Sequence, residues 1–581
     1  MIFAVYLLLS AVSAALAAGR IGGLAKTSER IVAAGVLWTL FQTLPLHLAA
    51  AANVAGLVER VEFGWLTALQ AALAITLALG ARGRRTADAG GQPPLEPLPL
   101  PILFACAVTA AAYAVSLAMM ALSYPQAWDA VAYHLPKALL WLQTGQFGLI
   151  DKSWQLGLPG NGEMAMLFWL GAGRESLTGL VAASAAAVLA AASYRIALAL
   201  EVSRPAALAA TLVLLSVPMV FHQSVAGASC GLSLGAKTTF VVYAAVFAAA
   251  AMAAIARGLL RVPLALALLF GGMAAPSAFW FGRATAATGN PIYPLQVKLA
   301  GHVVFDGYPP EVITPRDYGR KFVRGDAEWF VYPWVEWKEP SGVPGVPYDP
   351  GSGVGAAFAA FGALGAVYSL LGLARGRRVA PEIALVAAIA FLSIVWWFVM
   401  HRVPRFGLPI LAMACALTAP LLDRLLRRSP RGASALLVAT LGVTFVVSLL
   451  PMALASASQL RGGRLSRAEF YGYPPLLDEL PAGSRVANGT RGNGAYQNSV
   501  LAGKRLANRV VPHYKVPERL SAEWLMENQI EYVAVRSDGE ARRDALAQRG
   551  EIGLTEVAAG RQWSLWATPG TGETGASPPA P

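Results

Sequence analysis

Asp129, Tyr133, His134 and Lys137 stand close together in the run 123–145 (SYPQAWDAVAYHLPKALLWLQTG), which follows a long apolar segment. Helical spacing of i, i+4, i+8 predicts Asp129, Tyr133 and Lys137 on one face and Val131, Leu135, Ala138 and Leu142 on another. A carboxylate partly desolvated beside Tyr133 and His134 suits a general base acting on a hydroxyl or amine. The structural alternative is a helix N-cap, a place Asp favours ahead of an apolar-periodic stretch. Further on, Glu163 in LPGNGEMAMLFWLG follows a Pro/Gly/Asn turn. The apolar run it leads is too short to span a bilayer and predicts an interfacial or re-entrant segment, which returns a second acid to the same face. Two such carboxylates would divide the work of base and of metal or substrate ligand; the bland reading of Glu163 is a solvated loop acid.

Candidate cations complete the set. In His401-Arg402-Val403-Pro404-Arg405-Phe406-Gly407 two arginines fall at the outer end of an apolar segment, where a cation is costly without a partner. Their planar forks suit a phosphate, and snorkelling to ordinary headgroups is the competing explanation. Arg283 precedes Asn290-Pro291-Ile292-Tyr293-Pro294, whose prolines dictate an extended or turn-like backbone; Arg283 and Tyr293 are candidates to line a site. His222 and Gln223 close another segment on the same side, His222 more as a structural residue. No Walker, Rossmann, nucleophile-elbow or HExxH pattern is present. Cys106, Cys230 and Cys415 lie far apart without metal-ligand or disulfide spacing.

The elements that must position these residues are apolar helices. The chain of 581 residues is 56% hydrophobic and 14% charged, with mean hydropathy +0.52, which predicts an all-α polytopic membrane protein. About twelve spans are expected, at 1–18, 31–52, 62–81, 100–122, 176–198, 205–221, 236–256, 261–281, 353–374, 381–400, 403–422 and 433–455. The first reads as a retained helix rather than a cleaved signal, because Arg20 and Lys26 follow it. The net charge of +13 is scattered in clusters between apolar runs, as topology determinants are, and nucleic-acid binding is set aside. Arg20/Lys26/Arg30, Arg82/Arg84/Arg85, Arg195/Arg204, Arg257/Arg261, Arg375/Arg377/Arg378 and Arg424/Arg427/Arg428/Arg431 all fall on one side, which becomes cytoplasmic.

That orientation puts the loops 123–175 and 282–352 and everything after about 456 outside the cytoplasm. The 282–352 stretch interleaves acids and aromatics and reads mostly as a solvated loop with an interface belt. Four regions are expected: 1–92, three extra N-terminal helices and a Pro-rich linker; 93–456, a transmembrane core; 457–567, a small extracytoplasmic α/β domain; and 568–581, a disordered tail. Within the third, 484–488 and 530–536 read as strands, and 517–528 as a helix capped by Ser521 with Trp524 and Leu525 on its apolar face.

The run WDAVAYHLPKALLWLQTGQF, the short return segment LPGNGEM, the stretch GNPIYP and the late RFGLP together resemble the multispanning glycosyltransferases of the C fold class (GT-C). These are related to family 39, to the lipid A aminoarabinose transferases and to protein mannosyltransferases. The resemblance covers about 100–455 and implies a bacterial inner-membrane enzyme that takes a sugar from a polyprenyl-phosphate carrier and passes it to an extracytoplasmic lipid, glycan or protein. Asp129 would be the acceptor-activating base, Glu163 a second acid near the reaction centre, and Arg402 or Arg405 the holder of the carrier phosphate. Tyr133, His134 and Lys137 would be neighbours that bind substrate. Many relatives place a further acid in the loop that here is 222–237 (HQSVAGASCGLSLGAK) and contains none, which argues against a divalent-metal-dependent variant. The resemblance implies no other cofactor. The rivals are a transporter or flippase, which would more often bury charges mid-helix and show repeat symmetry, and a catalytically inactive assembly subunit.

Overall fold

The computed structural model describes residues 2–19, 27–79, 97–122, 124–125, 130–149, 157–158, 160–218, 220–221, 275–309, 312, 357–374, 408–446, 450, 465–489, 499–511, 515–517, 519–537, 547 and 551–569. Asp129, His222, Arg402 and Arg405 lie outside them, as do the expected spans 236–256 and 381–400, most of 261–281 and nearly all of the tail.

Three helices open the chain and pack on one another: α1 (Ile2–Ala18), α2 (Thr27–Val54) and α3 (Phe63–Leu79). Pro45 lies inside α2 and has no N–H to give to the carbonyl of Phe41, one turn back. The Tyr6 hydroxyl of α1 donates there instead (3.1 Å) and to the carbonyl of Gln42 (3.0 Å). Ser10 and Ser13 of α1 accept from Trp38 and Gln70, so the polar side chains of this apolar bundle bond between its helices.

α4 (Leu100–Leu122) follows the Pro-rich segment and leaves Leu100, Phe104, Val115 and Leu122 exposed along its length. After a π-type turn (Ala130–His134) come α5 (Leu135–Thr144), α6 (Asn161–Gly171), a 3-10 turn (Glu175–Gly179), α7 (Leu180–Ala199), α8 (Arg204–Ser216) and α9 (Ala275–Thr288). Three described stretches, Ala33–Val54, Leu100–Met119 and Glu175–Ala199, are long and apolar enough to cross a membrane; Ile2–Ala18, Phe63–Leu79 and Arg204–Ser216 are apolar but shorter.

Inside the 282–352 stretch, expected as a solvated loop, a hairpin forms from β1 (Val297–Leu299) and β2 (His302–Phe305). Beyond it, a second π-type turn (Phe358–Gly362) leads into α10 (Ala363–Ala374), then α11 (Leu408–Arg428) and α12 (Pro430–Thr444). α8 is buried along nearly its whole length against α7, α11 and the Phe358–Gly362 turn. α11 outruns the expected span: Arg424, Arg427 and Arg428, expected in a loop, ride its last turns, where cations oppose the helix dipole favourably.

The C-terminal part begins with α13 (Arg467–Phe470) and α14 (Leu476–Glu479). Its sheet is ordered β4-β3-β5-β7-β6, from β3 (Arg485–Asn488), β4 (Arg509–Val511), β5 (Tyr532–Arg536), β6 (Thr555–Ala559) and β7 (Trp563–Ala567). β4, β3 and β5 run parallel, β7 lies antiparallel to β5, and β6 is antiparallel to β7. The expected strands are present, and the helix expected over 517–528 is confined to α15 (Ala522–Glu527), because the Ser521 hydroxyl caps it there by accepting from the Trp524 N–H (3.1 Å). Sequence reading missed β4, β6 and β7. Alternate residues of the central strands enter two separate cores, as in a sheet covered on both faces. One core holds Val533, Val535, Leu525 and Trp566; the other joins Val486, Ala534 and Leu565 to Leu135, Met166 and Leu170 of α5 and α6. The sheet therefore rests on the two short helices that carry the candidate site.

Candidate functional site

Lys137 and Glu163 meet because two short helices meet. Pro136 opens α5, where a missing N–H is harmless, and Gly145 closes it at φ +65, a left-handed conformation that favours glycine. The Val61 N–H donates to the Gly145 carbonyl (3.0 Å) and fixes this end against the N-terminal bundle. α6 starts after Gly160, where a Cβ would lie 2.6 Å from the Trp141 ring and 3.1 Å from Lys137 Nζ. Only a residue without a side chain lets the two helices approach this closely.

Glu163 Oε1 lies 3.0 Å from His134 Nδ1 and 3.4 Å from Lys137 Nζ, and all three side chains are buried. Lys137 Nζ also donates to the Leu158 carbonyl (2.5 Å) and sits over the rings of Trp141 (5.2 Å) and Trp280 (5.6 Å). Arg283 of α9 enters from the other side. Its guanidinium lies 4.7 Å from the Trp280 ring and donates to the carbonyls of Phe147, Gly148 and Gly157 at 3.3–3.4 Å. Asn161, the first residue of α6, accepts the Trp280 indole N–H through Oδ1 (2.5 Å), and His47 Nε2 of α2 lies 2.7 Å from the same oxygen.

The charge balance is uneven, with Lys137 and Arg283 against the single carboxylate of Glu163. Burial alone raises Glu163, but Lys137 and then His134 favour its charged form more, and its pKa falls to about 2. Burial takes Lys137 down to about 8 despite Glu163, and it takes Arg283 down to about 10. A carboxylate this acidic is a weak proton acceptor at neutral pH, so Glu163 fits the fixed counter-charge of a cationic pocket better than it fits a base. Among the described residues, Glu163 Oε2, Arg283 Nε and Trp141 Nε1 are buried without a hydrogen-bond partner. A net-positive cluster with spare N–H donors is equipped to take an anionic oxygen.

Sequence reading placed Lys137 on the polar face of an amphipathic helix and left Glu163 open to being a loop acid. Both are corrected: Lys137 is 0% and Glu163 1% exposed, because α5 is wrapped by α6 and the sheet, and the π-type turn before α5 breaks the i, i+4 register. Of the candidates, His134, Lys137, Glu163 and Arg283 are brought together, with the Tyr133 ring 4.1 Å from that of His134. Tyr293 stands beyond the end of α9 with its ring 6.2 Å from that of Tyr308. Asp129, Arg402 and Arg405 fall outside the described residues, although Asp129 immediately precedes the Ala130–His134 turn. The reading missed His47, Asn161 and Trp280. Polar or amphipathic residues inside otherwise apolar runs were the signal available for them. Among the described residues, no three His, Cys, Asp or Glu side chains gather as a metal site.

No family model and no curated protein matches the sequence. Two solved structures of ArnT from Cupriavidus metallidurans are similar to the chain. The one bound to undecaprenyl phosphate is 14% identical, with a TM-score of 0.43, over 82% of this chain and 99% of that one. The apo one is 12% identical, with a TM-score of 0.47, over 80% of this chain and 97% of that one.

Proposed function

We propose that the chain is a membrane glycosyltransferase that moves a sugar from a polyprenyl-phosphate donor to an acceptor outside the cytoplasm. The observation that carries the reading is the meeting of Lys137, His134, Glu163 and Arg283 in one buried cluster with an excess of positive charge. His134, Lys137 and Glu163 come from stretches that resemble the C-class glycosyltransferases, Arg283 lies a few residues ahead of GNPIYP, and α5 and α6 are too short to span, among other helices apolar enough to do so.

In this reading the acceptor oxygen bonds to the anomeric carbon as the bond from that carbon to the phosphate oxygen breaks, and the lipid phosphate leaves. Asp129, the residue before Ala130 in the sequence, takes the acceptor proton. Lys137 and Arg283 oppose the charge that grows on the phosphate, Glu163 keeps the pair in place, and Arg402 and Arg405 supply further donors to the carrier. The 1–92 helices and the 93–456 core lie in a bacterial inner membrane, and the 457–567 unit stands outside it on the extracytoplasmic side.

The test uses the full chain in liposomes with polyprenyl-phosphate sugars, following release of the lipid phosphate. Asp129→Asn should abolish transfer without loss of folded protein, and Lys137→Met should weaken the use of donor. Full activity of Asp129→Asn would sink the assignment of the base.

A further inference from the structure

The three helices ahead of Pro93 have no part in the chemistry proposed above, yet α2 reaches the site twice. His47 lies about two turns before the end of α2 and is 3% exposed. Nδ1 is 2.7 Å from the carbonyl of Thr43 and Nε2 is 2.7 Å from Asn161 Oδ1. Both partners accept, so each neutral tautomer makes one of these bonds and the imidazolium makes both. Asn161 Oδ1 also receives the Trp280 indole N–H, and Trp280 is the ring over which Lys137 and Arg283 sit. One oxygen thus ties α2, α6 and α9 together two residues before Glu163.

The second contact lies at the end of α2. Asn53 Oδ1 accepts the Phe147 N–H (3.0 Å), while its Nδ2 donates to the carbonyls of Val58 and Glu59 (3.1 and 2.9 Å). The Phe147 carbonyl in turn accepts from Arg283. Gln146 donates to the Glu59 carbonyl (2.6 Å), and Val61 donates to Gly145. The two chain segments that hold the charged cluster, 145–148 and 160–163, are therefore each bonded to the N-terminal helices. A membrane anchor would need only apolar contacts here; buried directional bonds at both segments are what fixing a geometry requires.

We infer that the N-terminal three-helix unit is a brace built into the site, with His47 and Asn53 of α2 as positioning residues that set where Glu163, Lys137 and Arg283 stand. The consequence for turnover rests on the glycosyltransferase reading; the brace itself does not.

Two measurements on the purified full chain separate the two. His47→Phe keeps a ring against Phe279 and Trp280 but makes neither bond, and His47→Gln retains an N–H for Asn161. Amide hydrogen exchange in peptides covering 145–149 and 160–171 should quicken roughly tenfold in His47→Phe, stay near wild type in His47→Gln, and be unchanged across 485–567 in both. If His47→Phe fails to fold, Asn53→Leu is read in the same peptides, 145–149 responding first. In the transfer assay, kcat of His47→Phe should fall roughly 10- to 100-fold with donor KM within a factor of about 2, and His47→Gln should restore most of it. Unchanged exchange at both segments overturns the brace. Quickened exchange with unchanged kcat overturns positioning, and a wild type without transfer removes the glycosyltransferase reading while the exchange data still decide the brace.

Discussion

Arg467 offers the sharpest quantitative test of how the C-terminal sheet is held on the helices of the site. Its side chain is 1% exposed and meets four oxygens: both carboxylate oxygens of Glu175, and the carbonyls of Val500 (2.7 Å) and Ser499 (2.8 Å). Burial opposes its charge, but Glu175 outweighs burial and holds the guanidinium more firmly protonated than a free arginine. Glu175→Gln leaves that cation buried with only the carbonyls and one amide oxygen. Coulomb's law at an effective dielectric of about 20 gives roughly 4 kcal/mol for unit charges about 4 Å apart, and breaking buried pairs costs about 3–5 kcal/mol. Because the carbonyl bonds remain, about 3 kcal/mol is expected, a change of roughly 100-fold in the opening equilibrium of the sheet. Native-state proteolysis or hydrogen exchange over 485–567 reads it directly, with the α1–α3 peptides as internal reference. Arg467→Met with Glu175→Met removes both charges and should return to within about 1 kcal/mol of wild type. Arg519 and Glu551 form a pair of similar distance (2.6 Å) that is 67% and 62% exposed, and Arg519→Ala should change nothing measurable. A Glu175→Gln variant as silent as Arg519→Ala, or a double variant as damaged as the single one, would exclude the buried pair as what holds the sheet in place.

The low pKa of Glu163 has a pH signature of definite sign. A folded value of about 2, below the usual 4.5, adds stability above about pH 4.5 that is lost as pH falls toward 2. Glu163→Gln should therefore unfold earlier than wild type at pH 7, by on the order of 3 kcal/mol, and the gap in melting temperature should close progressively below about pH 4.5; a gap independent of pH would exclude the ion pair as its source. Gly160→Ala forces a Cβ against the buried Trp141 ring and should destabilise by about 1–3 kcal/mol, whereas Gly148→Ala, with nothing within 4 Å, should melt like wild type; equal melting of the two would contradict the close helix approach.

What the sequence made legible and what it hid divide along contact range. α4 coincides with the apolar run 100–122, and α15 begins where Ser521 predicted, because length, apolarity and capping are local properties. β6 and β7 were missed: β6 alternates exposed and half-buried positions, but its sequence TEVAA puts Val557 on the exposed set and Glu556 on the half-buried one, and β7 is buried at four of its five positions, so neither sequence carries the apolar/polar alternation that marks a one-sided strand. The candidate site was legible as a set of residue types and illegible as an arrangement. Nothing near Lys137 indicates that its ammonium is enclosed by Trp280 and Glu163, and nothing in LSRAEF indicates that Arg467 finds its carboxylate 292 residues away. His47 makes the point most directly. A lone histidine in an apolar helix is by default a satisfied core residue, and His47 is satisfied; the acceptor is Asn161, 114 residues on, at the start of the helix that carries Glu163. The same bond that makes it a core residue joins the N-terminal helices to the site, so in this chain the structural and the functional reading of a buried polar residue are one geometry seen from its two ends.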